Sequence, residues 1–266
     1  MDQDTLDDRI QRYYAHHVDE SVRLTSRAAG RVELARVREL VAPRLAPGSH
    51  VLDVGGAAGV HATWLAAEGH HVTLLDPVRA QVDAARRIGT FTADVGDARA
   101  LPAADASYDA VLIAGPLYHL ATRDDRLQAL REAARVLRPG GLVFAGAISR
   151  TVAALDAVLR RRFTDLPGVA LTRLLETGEV ADEIRNPEGE FPGAHFHTAA
   201  ELAEELVTAG FHDASVTGLE GPGSIALEFA PADDDVVAAA LVLARRTQQD
   251  PEAVDLSSHL LGIAVR

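Results

Sequence analysis

The residues best placed to do chemistry begin at Val51-Leu52-Asp53-Val54-Gly55-Gly56-Ala57-Ala58-Gly59, an apolar run carrying one acid that breaks into glycine and alanine. Glycines at such a break let the backbone approach a ligand closely, and a helix starting there offers unpaired N–H groups. That chemistry suits a nucleotide-type ligand. Two more acids close later apolar runs: Asp76, followed by Pro77, ends Val72-Thr73-Leu74-Leu75-Asp76, and Asp97 lies in Val95-Gly96-Asp97-Ala98. At the first position a carboxylate can accept both hydroxyls of a ribose, and at the second the exocyclic amine of an adenine, each such bond contributing roughly 1.5–3 kcal/mol. Taken singly, each acid could equally be a helix N-cap or a solvated turn. Their recurrence at consecutive run ends favours the ligand. A dinucleotide fingerprint would need glycine at 55, 57 and 60, and the chain offers only the first; the spacing Asp-x-Gly-x-Gly-x-Gly fits through Asp53, Gly55 and Gly59, with Ala57 the one departure.

The elements that must hold these residues follow from periodicity. Leu34, Val37, Val41 and Leu45 share one helical face that ends at Pro47-Gly48. Short apolar runs then alternate with helical patterns: strands at His50 to Val54, Val72 to Leu75, Thr90 to Ala93, Tyr108 to Ala114 and Leu142 to Ile148, and helices at Val60 to Ala67 and Val78 to Ile88. Thr122-x-x-Asp125 resembles a capping box opening a further helix that Pro139-Gly140-Gly141 stops. Strands separated by helices imply a parallel, doubly wound α/β sheet whose ligands bind at the carboxyl ends of the strands. After Arg150, a helix through Leu155, Val158, Leu159 and Phe163 leads into a Gly-, Pro- and charge-rich stretch, Thr164 to His197, which reads as an inserted lid. Thr198-x-x-Glu201 caps a helix closing at Gly210; a strand at Ala214 to Leu219, a helix at Asp233 to Arg246 and a strand at His259 to Val265 complete the chain.

The ordered set Asp53/Gly55/Gly59, Asp76, Asp97, Gly115 and Leu137-Arg138-Pro139-Gly140-Gly141 resembles the class I S-adenosylmethionine-dependent methyltransferases, densely from about residue 45 to 150 and loosely elsewhere. The resemblance implies a Rossmann-like seven-stranded sheet, mostly parallel with an antiparallel last strand, plus a helical cap insertion. It divides the chain into N-terminal helices covering the cofactor (1–46), a core binding S-adenosylmethionine (47–149), a cap (150–197) and the C-terminal part of the sheet (198–266). Gly55, Gly56, Ala57 and Gly59 would pass beneath the methionyl group with Asp53 anchoring it. Asp76, beside Pro77, would take the ribose and Asp97 the adenine, with Ala98 and Leu101 walling the base and Gly115 ending the fourth strand. S-adenosylhomocysteine would be the product.

Methyl transfer from a sulfonium is an in-line displacement on an activated carbon, so positioning supplies most of the rate and a general base is useful without being obligatory. In Gly115-Pro116-Leu117-Tyr118-His119-Leu120, His119 is the best-placed candidate base, with a structural contact to the cofactor as its other reading; Tyr118 packs on the cofactor. Amino-group methylators of nucleic acid and protein often carry Asn/Asp-Pro-Pro-Tyr here, and this chain departs from that pattern. In His195-Phe196-His197 the two imidazoles share a face, but no third ligand falls at convincing spacing, so no metal is expected and His195 is kept as a catalytic candidate touching the substrate from the lid. Tyr14, with Tyr13, sits on a helix that in similar enzymes folds over the cofactor opening, with core packing as the equal alternative. Arg23 and Glu33 could line that opening or face solvent, and Arg160-Arg161-Arg162 could steer a carboxylate or lie on a wet helix. Glu220-Gly221-Pro222-Gly223 forms a loop at a strand end, and His16-His17 and His70-His71 are surface pairs.

Composition narrows the classes. With 26 basic against 39 acidic residues, a formal charge of −13 has the wrong sign for a phosphate backbone or an anionic membrane. Cysteine is absent, excluding disulfides and thiolate sites, and every basic residue is arginine, excluding Schiff-base and Walker-type lysine chemistry. The acidic, polar start lacks the pattern of a signal peptide, and no run is long enough to span a bilayer, so a cytoplasmic enzyme is expected. The expected function is methyl transfer to an O, N or C nucleophile of a small molecule, with a homodimer left open. The alternatives are a cofactor-binding protein with drifted chemistry, a non-catalytic partner subunit, and an NAD enzyme.

Overall fold

In the computed structural model, residues 3–16, 20–159, 168–180, 191–231 and 233–266 are described. Three helices, α1 (Gln3–His16), α2 (Glu20–Ser26) and α3 (Ala28–Val41), precede a regular alternation: β1 (His50–Val54), α4 (Val60–Ala67), β2 (His71–Asp76), α5 (Arg79–Arg86), β3 (Thr92–Val95), β4 (Tyr108–Ile113), α6 (Arg123–Val136) and β5 (Leu137–Ile148). After α7 (Arg150–Leu159) and α8 (Gly168–Thr177) come α9 (Ala199–Thr208), β6 (His212–Gly218), α10 (Ser224–Phe229), α11 (Asp234–Thr247) and β7 (His259–Val265). The seven strands are ordered β3-β2-β1-β4-β5-β7-β6, with β7 antiparallel to both β5 and β6.

The continuous apolar runs are explained by burial on both faces. In β4, Ala110 and Leu112 face the α3–α5 side with Val37, Leu65 and Val82, while Val111 and Ile113 face the α6–α9 side with Leu130 and Leu206. Burying each larger side chain contributes about 1.5–3 kcal/mol, so a one-residue slip of register would exchange two filled layers. Strand order reverses between β1 and β4, which opens a crevice beyond their carboxyl ends.

Local chemistry sets the element ends. Thr122 and Thr198 cap α6 and α9 by accepting the Asp125 and Glu201 N–H groups, and Asp233 caps α11. The first helical face ends earlier than Pro47-Gly48: α3 stops at Val41 and a 3-10 turn, Ala42–Arg44, carries Pro43, which has no N–H to continue an α-helix. Pro139-Gly140-Gly141 does not stop α6, which ends at Val136; it forms a bulge inside β5, where Gly140 has φ +78° and the register with β4 shifts. The lid stretch is less irregular than its composition suggests, because Ala170 and Leu174 of α8 find a buried face against Ala154 of α7 and Phe196. Arg160-Arg161-Arg162, Phe163 and His17 lie outside the described residues.

Candidate active site

A cavity of about 730 Å3 lies beyond the carboxyl ends of the central strands, between α1 and α2 on one side and α7, α8 and the segment 191–196 on the other. At one end the backbone after β1 turns sharply through Gly55, with φ +72°; a Cβ there would meet the Pro116 ring at 2.6 Å. Ala57 adopts φ +46°, a left-handed conformation costing an L-residue about 1–2 kcal/mol. Its N–H donates to Asp76 Oδ2 at 2.9 Å, and the Val78 N–H donates to Asp76 Oδ1 at 2.8 Å. Asp76 therefore holds the loop in shape while lining the cavity, and burial pushes its pKa up to about 6.

Asp53 is buried on the cavity wall, and neither of its carboxylate oxygens has a hydrogen-bond partner among the described residues. Burial, then the neighbouring Asp76 charge, push it up to about 7. A buried carboxyl without a hydrogen-bond partner, on a residue of the cavity wall, is a negative charge that a nearby cationic group offsets, which fits the charged methionyl end of S-adenosylmethionine. Asp97 also lines the cavity but remains half exposed. Arg99 grips both its oxygens, with Nη2 at 2.6 Å from Oδ2, and outweighs the effect of burial to hold it below the usual carboxylate range. Gly56, Pro77, Ala98, Gly115, Tyr14 and Tyr118 line the same space, whereas Gly59, at the start of α4, and Leu101 lie behind it.

His119 lines the cavity with both nitrogens committed. Nδ1–H donates to the Pro192 carbonyl at 3.0 Å, which leaves Nε2 to accept the Tyr14 hydroxyl proton at 2.9 Å. Burial pushes it down to about 4. It is a neutral strut between α1 and the cap, seated in a cluster with Tyr118 and Phe191. His195 does not line the cavity. It bonds Glu201 at 3.0 Å and His197 bonds Glu205 at 3.2 Å, carboxylates one turn apart on α9, and Arg126 of α6 pairs with the fully buried Glu205. The paired histidines clamp the end of the cap to the core; the alternation that suggested a metal pair serves two carboxylates instead.

The other end of the cavity is richer in charge than spacing indicated. Arg23 forks onto Glu33 at 2.9 and 3.2 Å and also reaches Glu20 at 2.9 Å, so neither Arg23 nor Glu33 simply faces solvent. Against burial, Arg23 and His259 push Glu33 down to about 2. His259 Nδ1–H donates to Glu220 Oε1 at 2.5 Å, with Glu33 Oε2 at 3.6 Å, and these carboxylates overcome burial to push His259 up to about 9. Among the described residues Glu33, Glu220 and His259 are close enough to surround an ion, but the Arg23 fork and the imidazole proton already neutralise them. His61, on the wall, accepts the Trp64 indole N–H at 3.2 Å, and burial pushes it down to about 4. The reading of Glu220 as part of a loop at a strand end did not include its pairing with His259. One signal was available: in an antiparallel β7, the first residue shares the sheet edge on which β6 and the parallel strands end.

A doubly wound sheet with this strand order, a glycine turn after β1 and buried acids at strand ends defines an adenosyl-cofactor enzyme fold. Residues 51–141 match a family model described as "Methyltransferase domain". The chain is 32% identical over 197 residues to the ubiquinone/menaquinone biosynthesis C-methyltransferase UbiE of Acidiphilium cryptum, covering 69% of this chain and 75% of that one. It is 35% identical to the enzyme of the same name from Rubrivivax gelatinosus, covering 53% and 56%. A structure of an S-adenosylmethionine-dependent methyltransferase from Mesorhizobium loti superposes with a TM-score of 0.58 at 19% identity, covering 91% and 100%. The chain belongs to the class I S-adenosylmethionine-dependent methyltransferases. Several matches are partial: the chain spans about half the length of some curated relatives, 56% and 46% in two cases.

Proposed function

We propose that the protein transfers the methyl group of S-adenosylmethionine to a small-molecule acceptor. The observation that carries this reading is the unpartnered Asp53 carboxyl beside the Gly55 turn and Asp76, inside a cavity with room for more than one ligand. Asp53 would hold the methionyl end, Asp76 the ribose, and Asp97 the adenine edge once Arg99 yields one of its oxygens. When bound, the cofactor supplies a methyl group already activated by a positively charged sulfur. The chain orients that group against the acceptor and excludes water, with α1 and α2 forming one wall and the cap the other. Gln3 fastens α1 by accepting the Ala121 N–H at 3.0 Å, Gln11 donates to the Pro77 carbonyl at 2.7 Å, and the Ala194 N–H donates to the Tyr118 carbonyl at 2.8 Å. A cavity walled by α1, α2 and the cap, together with an acidic chain, favours a compact acceptor over nucleic acid. A cytoplasmic location and an undetermined assembly, monomer or homodimer, belong to the same reading; among the described residues no helix is long and apolar enough to cross a membrane.

Isothermal titration with S-adenosylmethionine and with NADH tests the cofactor, and binding of NADH alone would reject the reading. Following a labelled donor methyl into product then separates methyl transfer from drifted chemistry on the same cofactor.

A further inference from the structure

Building on the methyl-transfer reading, we infer that His259, protonated and held by Glu220, receives the acceptor's nucleophilic oxygen as an oxyanion at its Nε2–H, so that the acceptor is an apolar molecule bearing a weakly acidic hydroxyl. The geometry fixes the ring. Glu220 accepts three hydrogen bonds, from Ser257 Oγ–H at 2.8 Å, the His259 N–H at 3.0 Å and the His259 Nδ1–H at 2.5 Å, so its carboxylate cannot turn away. With Nδ1–H held by Glu220, the Nε2 side of the imidazolium has no partner among the described residues, and His259 lines the cavity. A carboxylate behind an imidazole both orients it and stabilises the imidazolium that proton uptake creates. His119 offers neither feature, since both of its nitrogens are occupied.

The charged groups around the ring are Glu33 from α3, Glu220 after β6 and Arg23 from α2, the last held by Glu33 and Glu20. The carboxylates outweigh Arg23, and His259 titrates at about 9. In the reaction the acceptor O–H bond breaks, its electron pair stays on oxygen, its proton goes to water, and the oxyanion pairs with the His259 Nε2–H. The oxygen pair forms the O–CH3 bond as the CH3–S bond breaks, and the sulfur keeps that bonding pair and becomes neutral, while His259 stays protonated. A protonated amine meets like charge there, which favours hydroxyl over amine acceptors. Val152, Ala157, Leu174, Phe191, Phe196 and Ile225 supply an apolar wall for the rest of the molecule.

The test uses 4-nitrophenol, whose visible absorbance reports ionisation, with the full-length protein saturated in S-adenosylhomocysteine at pH 6. The expected result is a bound phenolate in the wild type and a shifted 15N resonance of His259 Nε2. His259→Gln should lose the phenolate signal at least ~10-fold while S-adenosylhomocysteine affinity, read by calorimetry, stays within ~3-fold. Glu220→Gln should lower the pKa of His259 in an NMR titration and weaken the phenolate signal, which keeps the inference testable should His259→Gln fail to fold. Failure of the wild type to bind S-adenosylhomocysteine would overturn the methyl-transfer reading itself. Binding of that product without ionised 4-nitrophenol, or ionisation that survives in His259→Gln, would overturn the role of His259 alone.

Discussion

The two ends of the cavity are built in opposite ways. The end carrying Asp53, Asp76 and Asp97 comes from successive strand ends of one half-sheet. The end carrying Arg23, Glu33, Glu220 and His259 draws on α2, α3, the segment after β6 and the start of β7, brought together only when the antiparallel β7 inserts between β5 and β6. Their electrostatics differ as well. Asp53 and Asp76 are raised because burial outweighs the backbone N–H groups near them, whereas Glu33 is lowered by ion pairing. The first end keeps two raised carboxyls, which suits the proposed cationic donor, and the second is internally neutralised around His259.

If that division is right, substitutions at the first end should change donor binding and leave proton handling alone. The largest effect is expected from Asp76→Ala, which removes the proposed ribose acceptor together with the anchor of the Ala57 and Val78 N–H groups. Calorimetry should show donor affinity falling ~100-fold or more, from the loss of two charge-assisted bonds. Comparable weakening in Glu220→Gln would erase the distinction between the two ends.

Asp53 should give a smaller, two-sided effect. Its folded-state pKa of about 7 lies above the ordinary 3.8, so the unfolded chain releases this proton first, and the stability contributed by protonated Asp53 is lost as pH rises from about 4 to 7. Asp53→Asn should therefore raise Tm by a few degrees at pH 8 with no gain at pH 4, while weakening donor binding ~10-fold. Wild-type affinity should climb between pH 5 and 8 as Asp76 and then Asp53 ionise, which titrations across that range would read. A flat profile would mean that neither acid meets the cationic donor.

The smallest effect on turnover is expected at His119. His119→Gln should lower kcat only a few-fold, because the imidazole is a neutral strut, yet reduce Tm by a few degrees through loss of the Tyr14 and Pro192 bonds. A ~100-fold fall in kcat at unchanged Tm would restore it as the base.

Much of the first end was legible in the sequence because its signals are local. An apolar run that breaks into glycine at Gly55 and acids that close the next two runs at Asp76 and Asp97 need only neighbouring residues to be read, and the helix caps at Thr122, Thr198 and Asp233 are equally local. Strand alternation was enough for the parallel core and the limits of β7, whereas the antiparallel edge rested on the family resemblance and β3 lies two residues later than its apolar pattern indicated, at Thr92–Val95. Periodicity could not show that Pro139-Gly140-Gly141 is a bulge, since the same residues end helices and bend strands, nor that α8 would find a buried face.

The amino-acid order alone determined the doubly wound sheet, the glycine turn and the acids that line the cavity, because backbone conformation and burial pattern act over a few residues. Only the tertiary structure decided which histidine has a nitrogen to spare. His119, His195 and His259 are the same side chain at strand ends or in loops, and their chemistry is set by partners far away in the chain: Tyr14 and Pro192 for the first, Glu201 for the second, Glu33 and Glu220 for the third. Coulomb and desolvation energies depend on distance in space, and sequence spacing does not carry that distance.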